Sequence, residues 1–381
     1  MSDFHQRGLI STLPRLSAVP LADIELRLET LAESTATALI LPCTMDDLRR
    51  PAMGEILRQL TSARYLSRIV VSVNQATAED LPEIARLTKN DPRCIALWND
   101  DPKLQALLPE PRSGKGFNLW TALGFLFLRS ECECILTHDT DIVNYSRELP
   151  ALLALPLLEP DFGYHFVKGY YPRHSGQLFG RVTRLFVGPL LRALVRVEGH
   201  HPLLDFLDSF RYPLAGEFGG KVSELIQFPI SDGWGLEIDL LCEIHRSLAP
   251  ESIAQIELGT NYEHKHQSLG DNNLTRLTSQ ISASLLHHLA LEGARITPDF
   301  MEALRSAFLS SAKDTIRRYR HVALLNRFEF HETQENELAA AFANTLQLKS
   351  VSPSLPAWKE LQRTRPDFCS AFLAQLLASA S

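Results

Sequence analysis

Cys134-Ile-Leu-Thr-His-Asp-Thr-Asp-Ile142 is the stretch whose reading decides the fold. Cys134–Thr137 reads as a short buried strand, and Asp139 and Asp141 follow it two residues apart. In α/β sheets the carboxyl ends of the strands face the ligand crevice, so both carboxylates are expected there. Hard divalent cations such as Mg²⁺ take carboxylate oxygens. A solvated acidic turn is the plainer reading of the same residues.

Upstream, Ala36-Thr-Ala-Leu-Ile-Leu-Pro42, Arg68–Val73 and Arg93–Trp98 are further apolar runs of strand length. Asp46–Arg64, Leu81–Leu87 and Phe117–Leu128 carry helical periodicity between them, and Asn99–Gly116 is a polar loop. Strands alternating with helices at this spacing predict a parallel, doubly wound α/β sheet. Downstream, Phe162–Tyr170 and Ile256–Gly259 read as strands and Leu185–Val195 as a helix. From Leu274 onward the pattern is helical, with Ile281, Leu285, Leu289, Phe300, Leu304 and Phe308 at helical spacing. No chemistry is legible in this extension. Its His287-His288 and Arg317–Arg320 read as solvated helix faces. Four regions follow: a helical lead-in over 1–35 with a helix at Leu21–Leu31, an α/β half over 36–160, a second half over 161–273, and a mostly helical extension over 274–381.

The chain has 38 Lys+Arg against 45 Asp+Glu, a formal charge of −7, which argues against a general nucleic-acid binder. The charge is unevenly spread. Residues 162–197 hold no acid but carry Lys168, Arg173, Arg181, Arg184, Arg192 and Arg196, so this segment is +6 and the rest −13. Within it, Gly180-Arg-Val-Thr183 offers backbone amides, a guanidinium fork and a hydroxyl, a set suited to phosphate or carboxylate. A solvated basic face is the alternative. Ser113-Gly-Lys-Gly116 opens the helix Phe117–Leu128 and suits an anion at a helix start, or a plain turn and cap. It lacks the Walker spacing. Asp232-Gly-Trp-Gly-Leu-Glu-Ile-Asp239 puts two acids in a helix's first turn, as dipole partners or as acceptors for sugar hydroxyls. Tyr262-Glu-His-Lys-His266 follows the last strand, and one of its histidines could complete a metal site begun at Asp139 and Asp141.

Six scattered cysteines without a CxxC pair read as free thiols in a reducing cytoplasm. No apolar stretch approaches the roughly 20 residues that span a bilayer. Met1–Ile10 carries Asp3, His5 and Arg7, so no secretory signal is expected there.

Taken in order, these motifs resemble the glucosyl-3-phosphoglycerate synthases, retaining glycosyltransferases of the GT-A fold. The order is Leu41-Pro42, Gly114-Lys-Gly116, Asp139-Thr-Asp141, Val167-Lys-Gly-Tyr-Tyr171, Gly180-Arg-Val-Thr183, Pro213-Leu-Ala-Gly-Glu217, Gly233-Trp-Gly-Leu-Glu-Ile238 and the His264 segment. The resemblance covers about residues 36–270. It implies that Pro42, Asp46, Asn74, Gly114 and Lys115 meet the nucleotide donor, with Asp139 and Glu237 on its ribose and sugar. It implies Asp141 and His264 as ligands of Mg²⁺ or Mn²⁺. Asp139, Asp141 and Glu237 would be the catalytic acids. Gly180, Arg181, Val182, Thr183 and His266 would hold the acceptor, 3-phosphoglycerate. Asp46, Asn74 and His266 stand where the family pattern has Glu, Ser and Asn. The implied enzyme moves glucose from UDP- or GDP-glucose, as a cytoplasmic homodimer that needs no membrane or nucleic acid. Close alternatives are transfer of mannose or use of free glycerate; a non-catalytic nucleotide-sugar binder and a metal-dependent phosphohydrolase are more distant ones.

Overall fold

The computed structural model describes residues 5–262, 271–351 and 354–379. Its strands are β1 (Ser11–Leu13), β2 (Thr37–Thr44), β3 (Leu66–Asn74), β4 (Cys94–Trp98), β5 (Cys134–Thr137), β6 (Phe166–Tyr170), β7 (Phe218–Lys221), β8 (Ile230–Ser231), β9 (Ile253–Glu257) and β10 (Ser354–Leu355). Among the described residues, eight of them form one sheet in the order β1-β9-β6-β7-β5-β2-β3-β4. Side chains alternate between its faces. Ala38 and Ile40 join one core with Trp120 and Leu123, while Leu39 and Leu41 join the other with Leu28, Met53 and Ile56. Helices cover both faces, which is why the strands read as continuous apolar runs.

The sheet differs from the parallel expectation in one place. β7 runs antiparallel to both β5 and β6, whereas the other neighbouring pairs are parallel. The stretch 1–35 holds the expected helix, Leu21–Ala32, and also β1 on the edge of the sheet. The expected helix Asp46–Arg64 is instead a turn Met45–Leu48 and a helix Pro51–Leu60, because Pro51 has no N–H to continue the first. The helix expected at Leu185 begins as a π-helical turn, Thr183–Val187, and becomes Gly188–Glu198. Pro189 cannot donate there, and Gly188 N–H reaches back to Thr183 O.

β2 turns the chain from one side of the sheet to the other, with β3 on one flank and β5 on the other. Pairing with β5 ends at Ile40–Thr137, so Pro42 meets no strand on that side and its missing N–H leaves no gap in the ladder. The crevice opens at this point. The extension is not a separate body. Leu274, Ile281, Leu304, Phe308, Phe342, Trp358 and Phe372 belong to the same core as Ile40 and Trp120.

Candidate active site

A cleft of about 1130 Å³ lies at the carboxyl ends of β2, β3 and β5. Pro42, Asn74, Gly114, Lys115, Asp139, Asp141, Gly180, Arg181, Val182, Thr183 and Glu237 all line it. Asp46 does not; its side chain is exposed, and Asp47 takes the place on the wall. Thr44 caps that turn, accepting from Asp47 N–H at 3.1 Å. His264 and His266 lie outside the described residues.

The N-terminus of the helix Lys115–Arg129 is built for close approach. Gly114 has φ 105°, a left-handed conformation that favours glycine. A Cβ on Gly116 would lie 1.9 Å from Ser231 O, so β8 presses directly on the helix start. Asn118 pins the first turn, donating to Cys43 O (3.0 Å) and accepting from Asn99 (2.7 Å). Asn74, with its amide oriented to suit its neighbours, donates to Cys43 O (3.0 Å) and accepts from Gly114 N–H (2.6 Å). It thus holds the Gly114 turn as well as facing the cleft.

Lys115 joins two motifs that are far apart in sequence. Its Nζ lies 2.6 Å from Asp139 Oδ1 and 3.0 Å from Glu237 Oε1. Burial opposes the charge, but the two carboxylates outweigh it and hold the ammonium well above its ordinary pKa. Gly216 makes room for Asp139, since a Cβ there would lie 2.4 Å from Asp139 Oδ1. Thr137 fixes this glycine by donating to its carbonyl at 2.7 Å.

Beneath them sits Glu217, fully buried and given no role by sequence reasoning. It accepts from Tyr171 OH (2.6 Å), Tyr262 OH (3.0 Å) and Asp139 N–H (3.3 Å). The two tyrosine rings stack at 3.8 Å, and burial, with the charge of Glu217, pushes both phenols well above their usual pKa. The Pro213–Glu217 motif was the only signal in sequence.

Also lining the cleft, Arg181 is 45% exposed and Arg173 donates to Tyr212 OH at 3.3 Å. Only these two of the six cations in residues 162–197 line the cleft. Lys168 is buried and donates to Ala215 O at 2.6 Å. Burial pushes its pKa down to about 8. Arg184 pairs with Glu335, Arg192 bonds Thr315, and Arg196 reaches Ser310 and Asp314. The basic segment is therefore in large part the docking face for the extension.

The extension also reaches the site, against the expectation of none. Leu274, Arg276, Leu277 and Gln280 of the helix Asp271–Leu291 line the cleft. Gln280 accepts from Trp234 N–H at 2.7 Å, setting a half-exposed indole at the mouth. His288 is buried, not solvated, and lies 3.0 Å from Asp239 in the helix that carries Glu237. His287 is exposed as expected.

A doubly wound sheet with a carboxylate pair, a lysine and a further glutamate at its crevice suits a nucleotide-sugar glycosyltransferase. Over 387 aligned residues the chain is 34% identical to the glucosyl-3-phosphoglycerate synthase of Persephonella marina, covering 96% of each. It is 32% identical to the synthase of the same name from Methanococcoides burtonii, covering 84% of this chain and 82% of that one. The crystal structure of the Mycobacterium tuberculosis synthase with Mg²⁺ and UDP is 25% identical, with a TM-score of 0.55 over 74% of this chain and 87% of that one. No family model matches the chain. The chain belongs to the glucosyl-3-phosphoglycerate synthase family.

Proposed function

We propose that this protein transfers glucose from a nucleoside-diphosphate glucose to 3-phospho-D-glycerate, with retention at the anomeric carbon. The observation that carries this reading is Lys115 bridging Asp139 and Glu237 in the same cleft that Arg181 and Thr183 line. A donor with a departing diphosphate and an anionic acceptor would each meet a cation there. The family name is borne by relatives matched over nearly the whole chain.

Each residue's part follows from its chemistry. Glu237, largely enclosed on a helix start, accepts from the hydroxyls of the donor sugar. Lys115 places a held positive charge beside the leaving group, where negative charge grows in the transition state. Arg181 and Thr183 hold the acceptor's anion so that its hydroxyl faces the anomeric carbon, and such positioning removes several kcal/mol of barrier. Asp141 and Asp139 are hard oxygen donors, and the cradle left by Gly216 fits a carboxylate turned to the cleft. These residues suit Mg²⁺ or Mn²⁺, with Asp141 and His264 as the residues that would hold it. When bound, such an ion supplies charge neutralisation to the departing diphosphate. The reading extends to a cytoplasmic homodimer. All six cysteines are buried and free, as a reducing compartment allows, and Leu324 and Leu325 stand exposed on the extension.

The test is incubation with UDP-glucose or GDP-glucose, 3-phosphoglycerate and Mg²⁺. Release of nucleoside diphosphate and an α-configured glucosyl product by NMR is expected. No release with either donor overturns the proposal, and a β-configured product overturns retention alone.

A further inference from the structure

Two arginines and one glutamate share a corner of the acceptor wall. Arg184 and Glu335 are a bidentate ion pair with side chains 5% and 8% exposed, one arm at 2.6 Å. Arg181, one turn earlier, has its Nε 3.9 Å from the same Glu335. Arg181 therefore lines two spaces. One is the large cleft; the other is a small cavity bounded by Arg184, Glu329, His331 and Glu335. The charged or titratable side chains that line this small cavity are Arg181, Arg184, Glu329, His331 and Glu335.

Arg184 also fastens the loop in front of Arg181. Its Nε donates to Phe179 O (3.2 Å), and its guanidinium lies over the Tyr319 ring at 5.4 Å. Both oxygens of Glu335 are occupied by Arg184. A buried carboxylate cannot stay unpaired without a large desolvation cost. If Arg184 were absent, the nearest replacement cation would be Arg181, which can turn from the cleft into the small cavity.

We propose that Arg184 is a positioning residue that saturates Glu335 and so leaves Arg181 free for the acceptor's anion. This rests on the reading of Arg181 as an acceptor residue. One carboxylate and two guanidinia leave a net charge of +1, and the pairing geometry decides which arginine keeps it facing the cleft. Glu335, in the helical extension, thereby sets acceptor affinity without itself lining the cleft.

The test is a set of full-length variants assayed for acceptor KM, donor KM, kcat and thermal unfolding. Arg184→Gln is expected to raise acceptor KM about tenfold, equivalent to about 1.4 kcal/mol, with donor KM little changed. Arg184→Gln with Glu335→Gln is expected to bring acceptor KM back to within about threefold of the parent, because the capturing charge is gone. A purely structural role would leave the double variant as impaired as the single, and that result overturns the proposal. Should Arg184→Gln not fold, Arg184→Lys reports in its place. Its single-pronged ammonium leaves one Glu335 oxygen for Arg181, and a rise in acceptor KM that Glu335→Gln cancels is expected. An unchanged acceptor KM in Arg184→Lys overturns the proposal. Arg181→Ala separates the two readings. If it leaves acceptor KM unchanged, the acceptor role of Arg181 itself fails.

Discussion

Lys115 carries a residue-scale prediction of activity. Its ammonium lies within ion-pair distance of both Asp139 and Glu237 and ties the two carboxylates together at the crevice. Lys115→Met is expected to lower kcat by about 10²–10³-fold, the usual loss for a charge-stabilising donor. Diphosphate release at saturating donor measures it, and a loss below tenfold would refute the role. His138 carries a prediction of stability. Its ring is fully buried against Tyr145, neither nitrogen meets a hydrogen-bond partner among the described residues, and burial lowers its pKa from 6.5 to about 3. Above pH 6.5 both folded and unfolded chains hold it neutral. As pH falls below 6.5 the unfolded chain takes up the proton first, so stability declines towards pH 3. At about pH 5 the loss is on the order of 2 kcal/mol. His138→Phe is expected to shrink the drop in melting temperature between about pH 7.5 and pH 5; an unchanged drop would assign the acid sensitivity elsewhere.

At the scale of elements, the helix Lys115–Arg129 links the tail to the site. Trp358 stacks on Trp120 at 4.2 Å and donates to its carbonyl at 2.8 Å. Gly124 makes that fit possible, since a Cβ there would lie 2.1 Å from the Trp358 ring. Ala is the better helix former by about 1 kcal/mol, but Trp358 is held between Trp120 and Phe372 and has nowhere to retreat. Gly124→Ala is therefore expected to destabilise by about 1–3 kcal/mol, read from urea midpoints, and a stabilised variant would refute the packing argument. The elements legible in sequence were those whose local pattern agrees with their final place. β2, β3, β4 and β5 are apolar runs because both faces of the sheet are covered. β7 was not legible, because Phe218-Gly-Gly-Lys221 has two glycines and no apolar run of strand length. Its glycines are there for contact: a Cβ on Gly219 would lie 2.5 Å from Leu157 and 2.7 Å from Leu136. The two carboxylates, Lys115, Glu237 and the Gly180–Thr183 loop were legible because each closes or opens an element at the crevice. Glu217, Arg276 and Gln280 were not, since only tertiary packing brings them there.

For the whole molecule, the charge of −7 with +6 in residues 162–197 pointed to an anion site, and part of that excess serves another purpose. Arg184, Arg192 and Arg196 bind Glu335, Thr315, Ser310 and Asp314, all in the extension. The same extension supplies Leu274, Leu304, Phe308, Phe342, Trp358 and Phe372 to the core that holds Ile40 and Trp120. Cutting it away would uncover the helices Lys115–Arg129, Gly188–Glu198 and Leu236–Ser247, on which its own helices pack. Each such side chain contributes roughly 1.5–3 kcal/mol when buried, so these six together are worth about 9–18 kcal/mol, comparable to the whole 5–15 kcal/mol that keeps an ordinary domain folded. A fragment ending at residue 270 is therefore expected to lack a cooperative thermal transition, to bind a hydrophobic dye, and to release no diphosphate from a sugar nucleotide, even though it holds every motif of the cleft. A fragment that melts cooperatively and turns over would mean that the catalytic half carries its own core and that the extension is an accessory. Packing in the intact chain argues for the unfolded fragment, because Gly124, Trp120 and Arg184 are each shaped to a partner in the extension.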